Sequence, residues 1–248
     1  GGKEEEPPVA LVGKGIMFDS GGYSLKSRME TMHGDMGGAA AVIGAIRAIA
    51  LEKLPVNVIA VVAACKNMIS GDAYVPGDIL FSMNGKKIEM LNSDAEGRLT
   101  LADALTYAIR KENAGSIIDI ATLTGAAQGA VGVRSSAVFS NDEELYAEVE
   151  EASERACEKI WRLPLDKELF PVIESEVADI QNSAQGSTMG GGAIVAGLFL
   201  QEFVEDHSWV HVDIAPVSWE SKDIDYSIKG ATGYGVSLLY ETVKVISR

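Results

Sequence analysis

Residues 92–99 of this chain read Asn92-Ser93-Asp94-Ala95-Glu96-Gly97-Arg98-Leu99, and they stand where a loop is predicted to enter a helix. The carboxylates of Asp94 and Glu96 are two residues apart, and the guanidinium of Arg98 follows at the same spacing. Hard divalent cations prefer oxygen ligands, and two such ions can share a carboxylate. The same spacing also suits an ordinary helix start, because acidic side chains cap free N–H groups and oppose the macrodipole. On this stretch alone both interpretations stay open, and the helix cap is favoured.

A second polar cluster follows an apolar run that predicts a buried strand. Residues 13–22 read GKGIMFDSGG and place Lys14 and Asp19 among glycines, which let the backbone turn and approach a ligand closely. Lys26 lies shortly beyond, and Asp35 opens a helical stretch rich in small residues. A lysine at the end of an apolar strand ordinarily extends its amine to water. Near a metal it can instead bind as a neutral amine, since the positive charge lowers its pKa.

Together these segments resemble the leucyl aminopeptidases, the two-metal M17 metallopeptidases. Residues 92–99 differ from the family signature NTDAEGRL only at Ser93, and residues 12–22 match the family's strand–loop segment. Three further segments resemble the family in the same order: DMGGA at 35–39, ATLTGA at 121–126 and WVHVDIA at 209–215. The resemblance extends from about residue 8 to the C-terminus.

The resemblance implies a site with two divalent metal ions per chain. Asp19 and Glu96 would bridge the two ions, and Asp94 would complete the more exchangeable position. Lys14 and Asp35 would complete the tighter position. The expected ions are Zn²⁺ or Mn²⁺, with Mg²⁺ and Co²⁺ as alternatives. A full set of matching ligands implies an active enzyme.

The resemblance also implies residues that act without binding metal. Lys26 is expected to stabilise a developing oxyanion, and Arg98 to hold a bicarbonate that serves as general base. Met32 matches a position in the pocket for an apolar side chain, with ordinary core packing as the alternative. Thr122 and Leu123 can offer backbone groups to a peptide, or they simply end a strand.

Composition and length indicate one large globular domain. The chain has 248 residues, 47% hydrophobic and 23% charged, which is ordinary for a globular protein, and no internal linker is evident. Residues 1–8 read GGKEEEPP, which predicts a linker or truncation remnant. Residues 9–248 would then be the catalytic metallopeptidase domain that the resemblance implies. The family usually carries a smaller N-terminal domain as well, and we expect that domain to be missing from this sequence.

Charge and cysteine usage limit the partners. A formal charge of −15 argues against nucleic acid or an anionic membrane as partner. Cys65 and Cys157 are too few for a disulfide framework and are predicted to be reduced thiols in or near the core, as in the cytoplasm. No signal-type start and no continuous run of about 18 apolar residues is present, so no membrane association is expected.

Apolar runs bounded by Gly, Pro or Asn alternate with segments of helical periodicity, which predicts an α/β fold. We expect a mixed, largely parallel central sheet covered by helices on both faces. The predicted strands are 9–13, 56–64, 116–121, 136–139 and 209–214, and the predicted helices are 37–51, 97–112, 142–159, 193–204 and 233–246. The continuous hydrophobicity of residues 56–62 predicts a central strand. Residues 79–90, with Asn84-Gly85 in the middle, predict a hairpin with a tight primed turn.

The leading functional hypothesis is a metal-dependent aminopeptidase that hydrolyses the N-terminal peptide bond with a two-metal activated water. It would prefer apolar first residues such as leucine or methionine, act on peptides, and form a homo-oligomer, by resemblance a hexamer. A two-metal phosphoesterase is an alternative, since shared carboxylates and a cationic pair also suit phosphoryl transfer. A binding or regulatory protein on a peptidase scaffold is another. The sequence contains no HExxH or GxSxG motif, and His211, in a predicted buried strand, is interpreted as a core histidine.

Overall fold

Six strands form a central sheet in this computed structural model, which describes residues 1–184 and 187–248. The strands of the described residues are β1 (Val9–Asp19), β2 (Val58–Asn67), β3 (Asp78–Phe81), β4 (Lys87–Met90), β5 (Ser116–Ala121), β6 (Ser136–Ser140), β7 (Ile160–Arg162), β8 (Ile180–Gln181), β9 (Ser208–Asp213), β10 (Trp219–Glu220) and β11 (Gly230–Ala231). The central sheet has the order β2-β1-β5-β9-β6-β7, and β6 and β9 are its one antiparallel pair among the described strands. The predicted mixed, largely parallel sheet is confirmed.

Helices cover both faces of this sheet. They are α1 (Gly37–Glu52), α2 (Glu96–Arg110), α3 (Gly125–Val131), α4 (Glu143–Ala156), α5 (Gly192–Gln201) and α6 (Val236–Ile246). Side chains of α1, α4 and α6 pack on one face, and those of α2, α3 and α5 pack on the other. Neighbouring residues of β5 alternate between the two layers, because successive strand side chains point to opposite faces; Ile117 joins one and Ile118 the other. The predicted α/β/α layers are confirmed.

The first strand is longer than predicted, and this changes the position of Lys14. β5 pairs with β1 only as far as Gly13, whereas β2 continues beside β1 until Asn67 lies opposite Asp19. Gly13 permits close packing with α1, since a Cβ there would lie 2.8 Å from the Cα of Ala39. Lys14 therefore projects from within a strand, not from the loop after it.

The predicted central position of residues 56–62 is wrong. Among the described strands, β2 pairs with β1 on one side and with none on the other. Most of its side chains are only half-buried. Hydrophobicity favours a strand and its covering by neighbouring layers, but it does not report how many strands pair with its edges. The strand order decides that.

The hairpin of β3 and β4 is present, but its turn is not of the primed kind. A type I′ turn needs positive φ at both central residues, and here Gly85 has φ 98° while Asn84 is not in that region. The N–H of Gly85 donates to the carbonyl of Ser82 at 2.9 Å, and the N–H of Ser82 donates to Lys86 at 3.0 Å. The loop is thus a longer turn closed by a left-handed glycine, and the Asn84 side chain instead bonds the carbonyl of Glu202 at 3.1 Å.

Two further sequence expectations concern α1 and the cysteines. By length and composition alone, Met32–Glu52 is apolar enough to cross a membrane, a criterion that core helices also meet. Val42, Ala45 and Ile49 of this segment are packed in the core, whereas Ile43 and Leu51 are exposed. Cys65 is half-buried as a free thiol. The predicted near-core position of Cys157 is wrong, because it is exposed where α4 ends in a left-handed residue at the surface.

Candidate metal centre

The carboxyl ends of the parallel strands β1, β2, β5 and β9 meet at one edge of the central sheet. Asp19 ends β1, Asn67 ends β2, Asp213 ends β9, and Thr122 directly follows β5. Ligands of open α/β sheets bind at this edge, because loops leaving the strands surround it. The segment 92–98 reaches the same edge from the start of α2 and completes the site.

Three carboxylates of the predicted set converge there. Asp19, Asp94 and Glu96 each offer an oxygen, and these oxygens lie within 4.8 Å of one another. Asp19 and Glu96 are buried, and Asp94 is half-buried. The helix-cap alternative is wrong for Asp94, since the N-cap of α2 is Ala95 and no side chain caps it. The cluster therefore brings together the oxygen ligands that a divalent cation prefers.

Lys14 lies on the inner side of this cluster. Its Nζ is 2.8 Å from both carboxylate oxygens of Asp35, 3.0 Å from Oε1 of Glu96 and 3.0 Å from the carbonyl of Thr122. Burial opposes its charge, but Glu96 and Asp35 outweigh burial and raise the pKa of Lys14. Burial, aided by Glu96 and opposed by Lys14, raises the pKa of Asp35 to about 6. One ammonium therefore does not compensate two buried carboxylates.

Lys26 lies on the cleft side of the cluster. Its Nζ is 2.8 Å from Oδ2 of Asp19 and 2.5 Å from Oδ1 of Asp94, and its side chain is 19% exposed. Burial lowers the pKa of Lys26, but hydrogen bonds to both carboxylates outweigh burial and raise it. The buried oxygens Oδ1 of Asp94 and Oδ2 of Asp35 each face one lysine ammonium and, among the described residues, have no second partner. Buried carboxylate oxygens with unused acceptor capacity fit divalent ions.

Arg98 is a buried cation without an ionic partner. Arg98 is 9% exposed. Within residues 1–184 and 187–248, its guanidinium forms no ion pair. Its Nε has no hydrogen-bond partner in the part of the chain that the structure describes, and its guanidinium carbon lies 5.9 Å from the ring centre of Phe199. Burial lowers the pKa of Arg98 to about 10, although Glu96 and Asp213 oppose that shift. Such an uncompensated guanidinium can bind a small anion.

A cleft of about 330 Å³ opens beside Lys14, Asp19, Lys26, Asp35 and Asp94. Its remaining wall is mostly apolar or small and includes Met32, Thr122, Leu123, Gly125, Ala215 and Trp219. The three predicted substrate residues, Met32, Thr122 and Leu123, therefore face the same space as the charged cluster. The ring of Trp219 packs edge-on against that of His33 and directly over Gly34, where a Cβ would lie 3.3 Å from it.

One buried carboxylate holds two walls of this cleft. Oδ1 of Asp213 accepts hydrogen bonds from the N–H groups of Leu123 and Ala215, both at 3.1 Å. Its Oδ2 accepts from the N–H and hydroxyl of Thr124, at 3.1 and 2.7 Å. The N–H of Leu123 therefore already donates to Asp213, and the carbonyl of Thr122 accepts from Lys14.

Sequence reasoning missed Asn67, Asp213 and Trp219. Asn67 and Asp213 each end an apolar strand, so the convergence of parallel carboxyl ends was the signal that could have found them. Trp219 carries no such signal, because its ring enters the cleft from a two-residue strand. Ser93 is the one departure from the signature, and its hydroxyl donates to the carbonyl of Gly21 at 2.7 Å.

His211 is a core histidine, as predicted. Its ring is buried, and Nδ1 lies 2.6 Å from Oδ1 of Asp119, whose other oxygen accepts from the indole of Trp209 at 2.6 Å. It does not line the cleft. Burial lowers the pKa of His211, but the charge of Asp119 outweighs burial and raises it.

Comparison with known proteins adds an independent result. The protein-family model described as "Cytosol aminopeptidase family, catalytic domain" matches residues 1–240. A "Probable cytosol aminopeptidase" of Clostridium perfringens (strain 13 / Type A) is 55% identical over 94% of this chain and 47% of its own length. One from Clostridium tetani (strain Massachusetts / E88) is 52% identical over 98% of this chain and 50% of its own length. This chain thus spans about half the length of the relatives it matches.

Solved structures agree in fold. The bottromycin maturation enzyme BotP in complex with Mn has a TM-score of 0.92 and 40% identity, over 98% of this chain and 55% of that one. BotP described without that ion has a TM-score of 0.90 at the same identity. The family match across residues 1–240, together with relatives more than half identical, shows that this chain belongs to the cytosol aminopeptidase family.

Proposed function

We propose that this chain carries the centre of a metal-dependent aminopeptidase, which hydrolyses the N-terminal peptide bond of peptides. One observation carries the proposal: all predicted ligand side chains converge in one cluster beside a cleft that also contains the predicted substrate residues. The proposed ligands are Lys14, Asp19, Asp35, Asp94 and Glu96. Family membership and the Mn named with BotP support the metal dependence.

The positions of these carboxylates support a division between two ions. Asp19 and Glu96 lie between the two lysines and would be shared. Asp94 is half-buried at the cleft and suits the exchangeable position, whereas Asp35 is buried and suits the tighter one. Divalent ions held there, Mn²⁺ or Zn²⁺, would bind the free α-amine, polarise the scissile carbonyl and lower the pKa of a shared water.

Lys14 would have to lose a proton to act as a ligand. Without a cation, its ammonium pairs with both Asp35 and Glu96 and offsets part of their negative charge. Positive charge placed among the same carboxylates takes over that role and favours the neutral amine. Gly97 supports this close approach, because any Cβ there would lie 2.7 Å from Nζ of Lys14.

Lys26 would stabilise the transition state. Its ammonium is at the cleft and is partly exposed, so it can reach a substrate carbonyl while Asp19 and Asp94 keep it protonated. A donor aimed at a developing oxyanion strengthens as the negative charge grows, and it therefore raises the rate of the chemical step.

Arg98 would hold a bicarbonate that accepts a proton from the attacking water. Its guanidinium is buried and has no ionic partner among the described residues, which favours a small anion over solvent. Its neighbour Phe199 excludes water from that side. A bound bicarbonate supplies the general base, a role for which the described residues offer no free histidine at the cleft.

The cleft favours an apolar first residue. Met32, Ala215 and Trp219 line the same cleft, together with Gly125, which has no side chain. A charged side chain placed against them would lose water without a partner, at a cost of several kcal/mol. We expect leucine or methionine amides to be cleaved faster than aspartate or lysine amides. Fastest turnover of charged residues would contradict the pocket while leaving the metal centre intact.

The resemblance further supports a cytoplasmic homo-hexamer, a location that the names of the relatives also suggest. Light scattering at micromolar concentration should give a mass near six times that of the chain. A monomeric mass would contradict the assembly for this chain.

The reaction class is tested by two product assays on Mn²⁺-loaded protein. Release of free amino acid from leucyl peptides is measured beside release of phosphate from a phosphomonoester. We expect amino acid alone, lost in Glu96→Gln and kept in Glu154→Gln, an exposed glutamate on α4. Phosphate release, or activity that survives Glu96→Gln, would overturn the proposal.

A further inference from the structure

The side-chain amide of Asn67 touches two of the proposed metal ligands. Its Nδ2 donates to Oδ1 of Asp19 at 2.8 Å and lies 3.5 Å from Oε2 of Glu96. The same nitrogen donates to the carbonyl of Ser93 at 2.8 Å, and the hydroxyl of Tyr74 lies 3.4 Å from Oδ1. Asn67 is buried at the end of β2. It therefore links the end of β1 to the segment that carries Glu96.

An amide is suited to this position because its –NH₂ group only donates. A carboxylate that binds ions has a defined set of lone pairs, and a neutral donor on the far side fixes the carboxylate's orientation without adding charge. The two lysines also contact these carboxylates, but Lys26 carries a charge and Lys14 is itself proposed to bind an ion. Asn67 is the neutral side chain, among the described residues, that contacts both Asp19 and Glu96.

We propose that Asn67 is a positioning residue that holds Asp19 and Glu96 in the orientation needed to share two cations. The inference rests on the proposed metal centre. Because both carboxylates are assigned to both ions, Asn67 sets the affinity of both positions while it contacts neither ion. Its effect should therefore differ from that of Asp94, which is assigned to one ion.

The backbone of Asn67 has a separate structural function. Its carbonyl accepts from the N–H of Ser20 at 2.9 Å and from the hydroxyl of Ser20 at 2.8 Å. Truncation of the side chain leaves these two bonds available. Asn67→Ala therefore removes the carboxylate contacts and the bond to Ser93 while it keeps the backbone connection between β1 and β2.

Asn182 provides a matched control. It is buried, and its amide bonds the same segment through the backbone groups of Leu91, Asn92 and Ala95. It contacts no carboxylate of the cluster. Asn182→Ala therefore disturbs the segment's backbone without releasing a proposed ligand.

The experiment is a Mn²⁺ titration of metal-free wild type, Asn67→Ala and Asn182→Ala, read by calorimetry and by the electron paramagnetic resonance signal of free Mn²⁺. Loss of such an outer partner typically weakens metal binding by about 10–100-fold, and we expect this for both ions in Asn67→Ala. Asn182→Ala should bind much more tightly than Asn67→Ala. Thermal unfolding of the metal-free proteins checks that each variant is folded, and Asn67→Ser replaces the alanine variant if that one is not.

The outcomes separate the inference from the proposed function. Wild type that binds no Mn²⁺ would overturn the metal centre itself. Wild type that binds Mn²⁺ with the same affinity as Asn67→Ala would overturn the inference alone. Equal weakening in Asn67→Ala and Asn182→Ala would also overturn it, because the effect would then come from the segment's backbone.

Discussion

Gly97→Ala tests whether the position of Lys14 controls the centre. A Cβ on Gly97 would lie 2.6 Å from Cε of Lys14 and 2.7 Å from its Nζ. Ordinary van der Waals contact begins at 3.4 Å, so the lysine tip must move by about 0.8 Å. Its hydrogen bonds to Asp35 and Thr122 are 2.8 and 3.0 Å long, and a bond lengthened to 3.6 Å is lost.

The effects on stability and on activity should differ. Alanine inside a helix is favoured over glycine by about 0.5–1 kcal/mol, which offsets part of the cost of moving the lysine in the metal-free protein. Misplacing a catalytic group by about 1 Å can cost on the order of 10²-fold in rate. We therefore expect kcat/KM for leucyl amides to fall about 10²-fold in Gly97→Ala, with a small change in the urea midpoint.

Two controls isolate the contact. Gly129→Ala in α3 makes the same change where a Cβ meets nothing within 4 Å, and it should leave kcat/KM unchanged. In a Lys14→Ala background, Gly97→Ala should cost nothing further, since the clashing atoms are gone. Unchanged kcat/KM in the single variant, or an equal loss in both backgrounds, would refute the reasoning.

Four other perturbations are expected to have distinct readouts. Asp94→Asn should remove one Mn²⁺ per chain and leave the other, as judged by metal analysis after dialysis; equal loss of both would contradict its assignment to one ion. Lys26→Ala should lower kcat by about 10²–10³-fold at unchanged Mn²⁺ content, and a variant that cannot hold metal would make Lys26 structural. Asp213→Asn leaves buried N–H groups unpaired at a cost of about 1–3 kcal/mol and should raise KM for peptides without changing Mn²⁺ affinity; an unchanged KM would show that the cleft walls do not need this carboxylate. Because the pKa of His211 is raised, its pairing with Asp119 stabilises the folded protein fully below the ordinary histidine pKa and less as pH rises through the raised value. Asp119→Asn should therefore lower the free energy of unfolding more at pH 6 than at pH 9. Equal losses at the two pH values in urea titrations would contradict this.

Local patterns in the sequence were sufficient for the fold class and for most elements. The helix α1 was predicted at 37–51 and lies at Gly37–Glu52. The prediction succeeds because helical periodicity and the residues that bound a helix are local features of the sequence. The short strands β7, β8, β10 and β11 and the helix α3 were not predicted, since two to seven residues are too few to show a period. The turn at Gly85 was predicted with the wrong geometry, because its neighbour Asn84 is held by a residue more than a hundred positions away.

The segment 92–99 identified the proposed ligands Asp94 and Glu96 because neighbours in sequence stay neighbours in space. The sequence by itself therefore determined the chemistry of the site: which carboxylates, lysines and arginine are available, and in which order. Their partners depend on strand order. β2 lies at the edge of the sheet and places Asn67 beside Asp19, and β9 lies beside β5 and places Asp213 under Leu123.

Only the tertiary structure could decide these contacts. The pair of Lys14 and Thr122 is separated by 108 residues, and that of Asn67 and Asp19 by 48. Hydrophobic patterns specify which face of a strand is buried, but they are almost the same for any order of equally apolar strands. Which strands become neighbours is decided by the packing of the whole sheet against its two helical layers, and the surroundings of each ligand follow from that packing.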